Sequence, residues 1–476
     1  MTQRTNANAI RAVQTPPQVK RLFKAFREFT RLEATGGILL LATSIIAILW
    51  ANSPWKQAYY DLWHMPFTIS FNGFTLSHDF HWWINESLMV IFFFVIGLEI
   101  KREIQVGELS SVRKATLPIA AALGGMLLPA AFYALINTGA PGMRGWGIPM
   151  ATDIAFALGV MALLGPRVPL NLKIFLTALA IVDDIGAVLV IGVFYTDQII
   201  WLNLLIAAGI LLALGLANLL GVRSPTFYAL LGIGLWLAFL ESGVHATLAG
   251  VLLAATIPSK NKIDRTEFLR RARSFLHEFE HAGEGRKNML NCEQQEALHS
   301  LEVAAQEVES PLQRLEHSLH PWVTYMIIPL FALANAGVSL QTNFQMILMD
   351  RISLGILAGL LIGKQVGIML ASWLATRAGL ADLPRGINWK HISAAGWLAG
   401  IGFTMALFIS SLAFGDAAAE DSAKVGILAA SLIAGVIGLF TLRRSTAPVV
   451  ADHNHAQSPE TLRPETAGGE MMGDGA

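Results

Sequence analysis

Seven ionisable residues stand inside long apolar stretches of this chain: Glu86, Glu99, Asp153, Asp183, Asp184, His245 and Lys364. A charge at the centre of a membrane helix costs about 2.5–3.5 kcal/mol on insertion scales, so each needs a partner or a task. Asp183 and Asp184 are adjacent in LTALAIVDDIGAVLVIG. Neighbouring helix positions diverge by about 100°, so one carboxylate can face a cavity while the other faces a neighbouring helix. Burial and mutual repulsion both disfavour charging the two together. Such a pair can take up a proton near neutral pH and, once deprotonated, offers oxygens to a hard cation. Lys364, in GLLIGKQVGIML, is the natural partner of one aspartate, although a static counter-ion that steadies the bundle would read the same. Glu99 lies beside Lys101 and Arg102 and suits an interfacial ion-pair cluster as well as a working role. Glu86 reads as interfacial, and His245, at the start of a span, as a hydrogen-bonded packing residue.

The elements that position these groups are apolar helices. Of 476 residues, 54% are hydrophobic and 14% charged, against about 25% charged in soluble domains. That composition implies a polytopic membrane protein and argues against disordered or disulfide-rich classes. Lys+Arg and Asp+Glu balance at 34 each, which gives no global charge for nucleic acid, and the single cysteine, Cys292, excludes internal disulfides and iron–sulfur clusters. Twelve apolar stretches run from 36–51 to 425–441. With the N-terminus inside, and the long polar stretch after the eighth span left out of the count, nineteen Lys and Arg close to the spans fall on inside segments and four (Lys56, Arg144, Arg351 and Lys424) outside. The positive-inside rule then places both termini in the cytoplasm. The expected organisation is a polar N-terminal segment (1–35), spans one to eight (36–258), a charged, helical cytoplasmic insert (259–320), spans nine to twelve (321–442) and a disordered tail (443–476). Residues 65–76 alternate around Asn72-Gly73, a hairpin signal on the outer face. The insert's apolar spacing predicts two amphipathic helices broken at Gly283-Glu284-Gly285.

Two spans carry interruptions. In the fourth, GWGIPMATDIAFALG, Pro149 removes a backbone donor just before Thr152 and Asp153. In the eleventh, AAGWLAGIGFTMALF, Gly396, Gly400 and Gly402 weaken the centre. Spans three to five and ten to twelve form two triplets, each with its broken helix second. They start seven spans apart, an odd number, so they run in opposite directions. Paired interruptions in an inverted repeat point to a midplane ion site. Asp153 can neutralise the positive helix ends there, and Lys364 the negative ones.

ATDIAFALGV, ALAIVDDIGAVLVIG, GVHATLAGVLLA, GLEIKRE, LEHSLHPWV, PLFALANAGVSL, GKQVGI and GWLAGIGFTMALFI resemble the NhaA family of bacterial sodium/proton antiporters, itself a standard example of inverted-repeat architecture. The resemblance covers about 36–441. It implies an all-α fold of twelve transmembrane helices with two crossed, unwound ones, a small outward β-hairpin, and location in the bacterial inner membrane. It implies that Asp183 and Asp184 hold Na⁺ and protons, that Thr152 and Asp153 belong to the first unwound helix, and that Lys364 is the essential lysine. Glu99, Glu103, Glu316, His317, His320 and His245 match positions linked to pH response. Dimerisation through the outward hairpin is also implied. No cofactor is expected beyond the substrate ions Na⁺, Li⁺ and H⁺, and no nucleic acid. The resulting expectation is electrogenic exchange of Na⁺ or Li⁺ for protons by alternating access. Its rivals are a cation channel built on the same carboxylates and an intramembrane aspartyl enzyme. An aspartyl enzyme needs aspartates from separate helices, whereas this pair is adjacent.

Overall fold

A computed structural model describes residues 34–71, 74–196, 198–282, 289–339 and 347–445. The chain opens with α1 (Ala34–Ala51) and a short α2 (Lys56–Trp63), which bends away by 115°. Strands β1 (Pro66–Phe71) and β2 (Phe74–Asp79) then pair antiparallel, Pro66 opposite Asp79. The hairpin expected at 65–76 is present, and its second strand runs on to Asp79. Asp79 ends it by accepting the amide of Trp82 (2.8 Å) and capping α3, Phe80–Gln105.

The helices that follow are α4 (Val112–Asn137), a 3₁₀ segment (Pro141–Met150) leading into α5 (Ile154–Leu163), α6 (Leu170–Phe194), α7 (Trp201–Leu219), α8 (Pro225–Leu240) and α9 (Thr247–Thr256). Beyond them lie α10 (Arg265–His281) and α11 (Cys292–Val308), then α12 (Pro311–Trp322) and α13 (Ile328–Asn335), joined by a π-turn at Val323–Ile327. The last four are α14 (Arg351–Arg377), α15 (Trp389–Ala399), α16 (Phe403–Ala413) and α17 (Ala417–Ser445). Among the described residues, six helices are long and apolar enough to cross a membrane, or up to nine if each bent pair is one span.

Within the expected insert, 259–320, residues 311–320 form the start of the helix that leads into the ninth apolar stretch. Ser310 caps that helix by accepting from the amide of Gln313 (3.2 Å), and Pro311 occupies its first position, where the missing N–H is harmless. Pro321 does not stop the helix, and the π-turn follows directly. The break proposed at Gly283-Glu284-Gly285 falls outside the described residues, as do most of the N-terminal segment and most of the tail; α10 and α11 flank that break as the apolar spacing predicts.

The bundle is ordered around α6. Of its apolar window 61% is buried, against 17% for α7, so α6 is central and α7 presents Leu205, Leu212 and Leu219 outward. That is the reverse of a soluble protein's pattern and suits lipid contact. Against α6 and the 3₁₀ segment stand α4 and α14, which approach on small residues. A Cβ on Gly124 would lie 2.3 Å from the Gly367 carbonyl, and one on Gly367 2.1 Å from that of Gly124. Only bare glycine backbones permit this contact, and it draws Lys364, one turn earlier on α14, into the protein interior. A π-turn at Ala358–Gly363 immediately precedes Lys364; such turns rotate the following side chains and recur at functional positions. Between α8 and α9, Gly243 takes φ +82, and a Cβ there would meet the Gln198 carbonyl at 1.8 Å. The turn between α8 and α9 therefore depends on glycine.

Candidate ion-binding site

Both expected interruptions are present, and they touch. The 3₁₀ segment and α5 bend by 45° across residues 151–153, and α15 and α16 by 43° across 400–402. The Asp153 amide donates to the Ile401 carbonyl (2.7 Å). Thr152 Oγ1 lies 2.9 Å from the Ala399 carbonyl. Each break thus supplies polar partners to the backbone freed by the other, which is how interrupted helices survive at membrane depth. Tyrosines steady the 3₁₀ segment: Tyr195 Oη donates to the Arg144 carbonyl (2.8 Å) and accepts from the Gly147 amide (3.2 Å), and Tyr133 Oη donates to the Gly142 carbonyl (2.7 Å).

Asp153 serves two helix N-termini together. Its Oδ1 accepts the amide of Phe156 (3.0 Å), capping α5, and its Oδ2 accepts the amide of Thr404 (3.1 Å) in the first turn of α16, together with the Thr404 hydroxyl. A carboxylate suits two converging positive dipole ends. Opposite it, the Lys364 ammonium donates to the carbonyl of Met150, the last residue of the 3₁₀ segment, where the dipole is negative.

The two central aspartates have divided environments. Asp183 Oδ2 is held by Lys364 Nζ (2.6 Å) and accepts from Thr152 Oγ1 (2.6 Å). Asp184, one position on, turns into a cavity of about 290 Å³, whose other polar lining includes Glu99, Thr152, Asp153, Thr404 and His320. Asp183 Oδ1 and Asp184 Oδ1 are buried and have no hydrogen-bond partner among the described residues. All five of Thr152, Asp153, Asp183, Asp184 and Lys364 are at most 2% exposed. A buried, unsatisfied carboxylate oxygen is costly, and two of them in one cluster are what a dehydrating cation or a proton would satisfy.

The remaining candidates separate into groups. Glu99 lines the cavity with Asp184. One turn further along α3, Arg102 binds Glu316 (2.6 Å) and Glu103 (3.0 Å), and Glu103 accepts the Glu108 amide (3.1 Å). Burial pushes the Glu316 carboxyl above its usual range, with Arg102 pulling the other way. Partial burial lowers the His320 ring, helped by the charges of His317 and Arg102. His320 stands at the cavity lining and His317 is exposed. His245 stands apart from this cavity, its Nε2 2.8 Å from the Tyr195 carbonyl. The sequence reading missed Thr404, the second partner of Asp153. The available signal was its place just beyond the second break, matching Thr152 at the first.

Apolar helices packed around a buried aspartate–lysine cluster, with one carboxylate open to a cavity, are the build of a membrane transporter for small ions. The family follows from comparison. Residues 27–442 match the family model described as Na⁺/H⁺ antiporter 1, and the chain belongs to that family. It is 49% identical over 432 residues to the Na⁺/H⁺ antiporter NhaA of Koribacter versatilis (90% of this chain, 93% of the relative). Over 429 residues it is 50% identical to that of Oleidesulfovibrio alaskensis (90% and 95%), and over 433 residues 47% identical to NhaA 2 of Syntrophotalea carbinolica (91% and 99%).

Proposed function

We propose that the chain exchanges Na⁺ or Li⁺ for protons across the bacterial inner membrane. The observation that carries this reading is the division of the aspartate pair, with Asp183 held by Lys364 and Thr152 while Asp184 faces the cavity. A cation needs both carboxylates charged and Asp183 released from Lys364. Cation and protons therefore compete for one set of oxygens. Asp184 and Lys364 are the proton carriers, so more than one proton moves per cation and exchange is electrogenic. Asp153, fully engaged by two helix ends, tunes the electrostatics without carrying the ion.

In this reading the twelve apolar stretches are twelve spans, with the broken helices crossing at Thr152–Asp153 and 400–402. Both termini lie in the cytoplasm, as the distribution of Lys and Arg supports, and the cavity opens on that side. The inverted triplets rock around the crossing to expose the site alternately. The Arg102–Glu103–Glu316 cluster with His317 and His320 sets the pH response, with Glu99 as its contact with the cavity. Two copies associate through the β1–β2 hairpin, which presents Phe67 and Ile69 at its surface. Imposing a pH gradient on vesicles and adding Na⁺ tests the exchange. Collapse of the gradient supports it, and a Na⁺ current without coupled proton flux favours a channel.

A further inference from the structure

The end of α10 carries the sequence His277-Glu278-Phe279-Glu280-His281, outside the ion site and far along the chain from it. Residues four apart lie on one face of a helix, and both histidines are exposed. Their rings stack with centroids 4.0 Å apart and planes 13° from parallel. Two nitrogens bound to one tetrahedral ion at about 2.0–2.1 Å stand roughly 3.3 Å apart, so small side-chain rotations bring these imidazoles into chelating position. His281 Nδ1 lies 2.9 Å from the His277 carbonyl. A donor Nδ1–H there leaves Nε2 with its lone pair free, the arrangement common to metal-bound histidines, whose second nitrogen bonds to a carbonyl or carboxylate.

The surroundings favour a cation as well. The pair occupies the last turn of a 17-residue helix, where the backbone carbonyls concentrate negative charge. Glu278 and Glu280 flank it, and Glu278 Oε1 accepts from the Ser274 hydroxyl (3.2 Å). Of the arginines of α10, Arg270 and Arg271 are drawn the other way, binding Glu267 in its first turn, while Arg273 stands one turn before His277.

We propose that His277 and His281 form a chelating site for a divalent transition metal of the Zn²⁺, Ni²⁺ or Cu²⁺ type, completed by water. Imidazole nitrogens suit these ions and not Na⁺ or Mg²⁺. The sequence also satisfies the His-Glu-x-x-His pattern of zinc hydrolases. A hydrolytic centre would add a third protein ligand and a cleft, however. Among the described residues no group of three His, Cys, Asp or Glu converges, and this face is open. The site is therefore a staple that clamps the C-terminal turn of α10, and it lies outside the exchange machinery.

The test uses the full chain without an affinity tag of histidines, purified in detergent and titrated with Zn²⁺ against a chromogenic chelator. The expected result is one saturable site, whose affinity falls as pH drops and the imidazoles protonate. His277→Ala and His281→Ala should each weaken it by about tenfold or more, while His299→Ala leaves it unchanged. Both loss variants should keep metal-free Na⁺-dependent exchange, which confirms that they fold. Zn²⁺ should also slow amide exchange at the end of α10 in the wild type only. No saturable binding, or equal binding by all three variants, overturns the proposal.

Discussion

Replacing Lys364 by leucine removes the one cation that, among the described residues, touches Asp183. The carboxylate then keeps only the Thr152 hydroxyl on Oδ2, and its Oδ1 has no partner among the described residues. Removing one member of a buried pair leaves an uncompensated charge, which destabilises by about 3–5 kcal/mol. That is a factor of roughly 10² to nearly 10⁴ in the folded population. The double variant Lys364→Leu/Asp183→Leu removes both charges, and Thr152 keeps its contact to the Ala399 carbonyl. It should regain most of the loss, because an apolar replacement for a buried ion pair is often neutral. Unfolding midpoints of wild type, Lys364→Leu, Asp183→Leu and the double variant in detergent, at several pH values that include pH 8, complete the cycle. A single variant as stable as wild type at pH 8, or a double variant no better than the single, refutes the pairing.

Asp153→Asn keeps one acceptor oxygen, enough for the Phe156 or the Thr404 amide but not both, and loses the charge, so cation affinity should weaken while exchange stays measurable; abolished exchange in a folded variant would make Asp153 a direct ligand. Deleting 265–309 with a short linker should leave exchange intact, because Leu312 donates to the Pro258 carbonyl (3.2 Å) and already closes the base of the insert; loss of exchange would make the hairpin part of the machine. Replacing Glu316 and His317 together should move the pH profile in everted vesicles further than that deletion does, since Glu316 ionises within the Arg102 cluster as pH rises through its raised range. In the hairpin itself, hydrogen bonds from Arg270 and Arg271 hold Glu267 down at about 2. Its stabilising contribution is full above the ordinary carboxylate value of 4.5 and is lost as pH falls towards 2, so hydrogen exchange in α10 should quicken over that window and Glu267→Gln should abolish the change.

Much of this site was legible in the sequence because charge at membrane depth is rare. Asp153, Asp183, Asp184 and Lys364 stand out against apolar neighbours, and the 100° divergence of adjacent helix positions anticipated that Asp183 and Asp184 would face different surroundings. Pro149 and the glycines near 400 marked both breaks to within a few residues. Which aspartate meets Lys364 was not legible, since that depends on the rotation of α14, set by the π-turn at Ala358–Gly363 and the bare contact of Gly124 with Gly367. The role of Thr404 was hidden for a similar reason: it binds Asp153 only because the two breaks meet in space.

The most direct test of the central claim is Na⁺-dependent proton exchange in proteoliposomes by Asp183→Asn and Asp184→Asn. An amide can neither carry the proton nor charge to hold Na⁺, so each variant should lose most exchange while remaining folded and inserted. Exchange by both at the wild-type rate would contradict the assignment of the ion site to this pair.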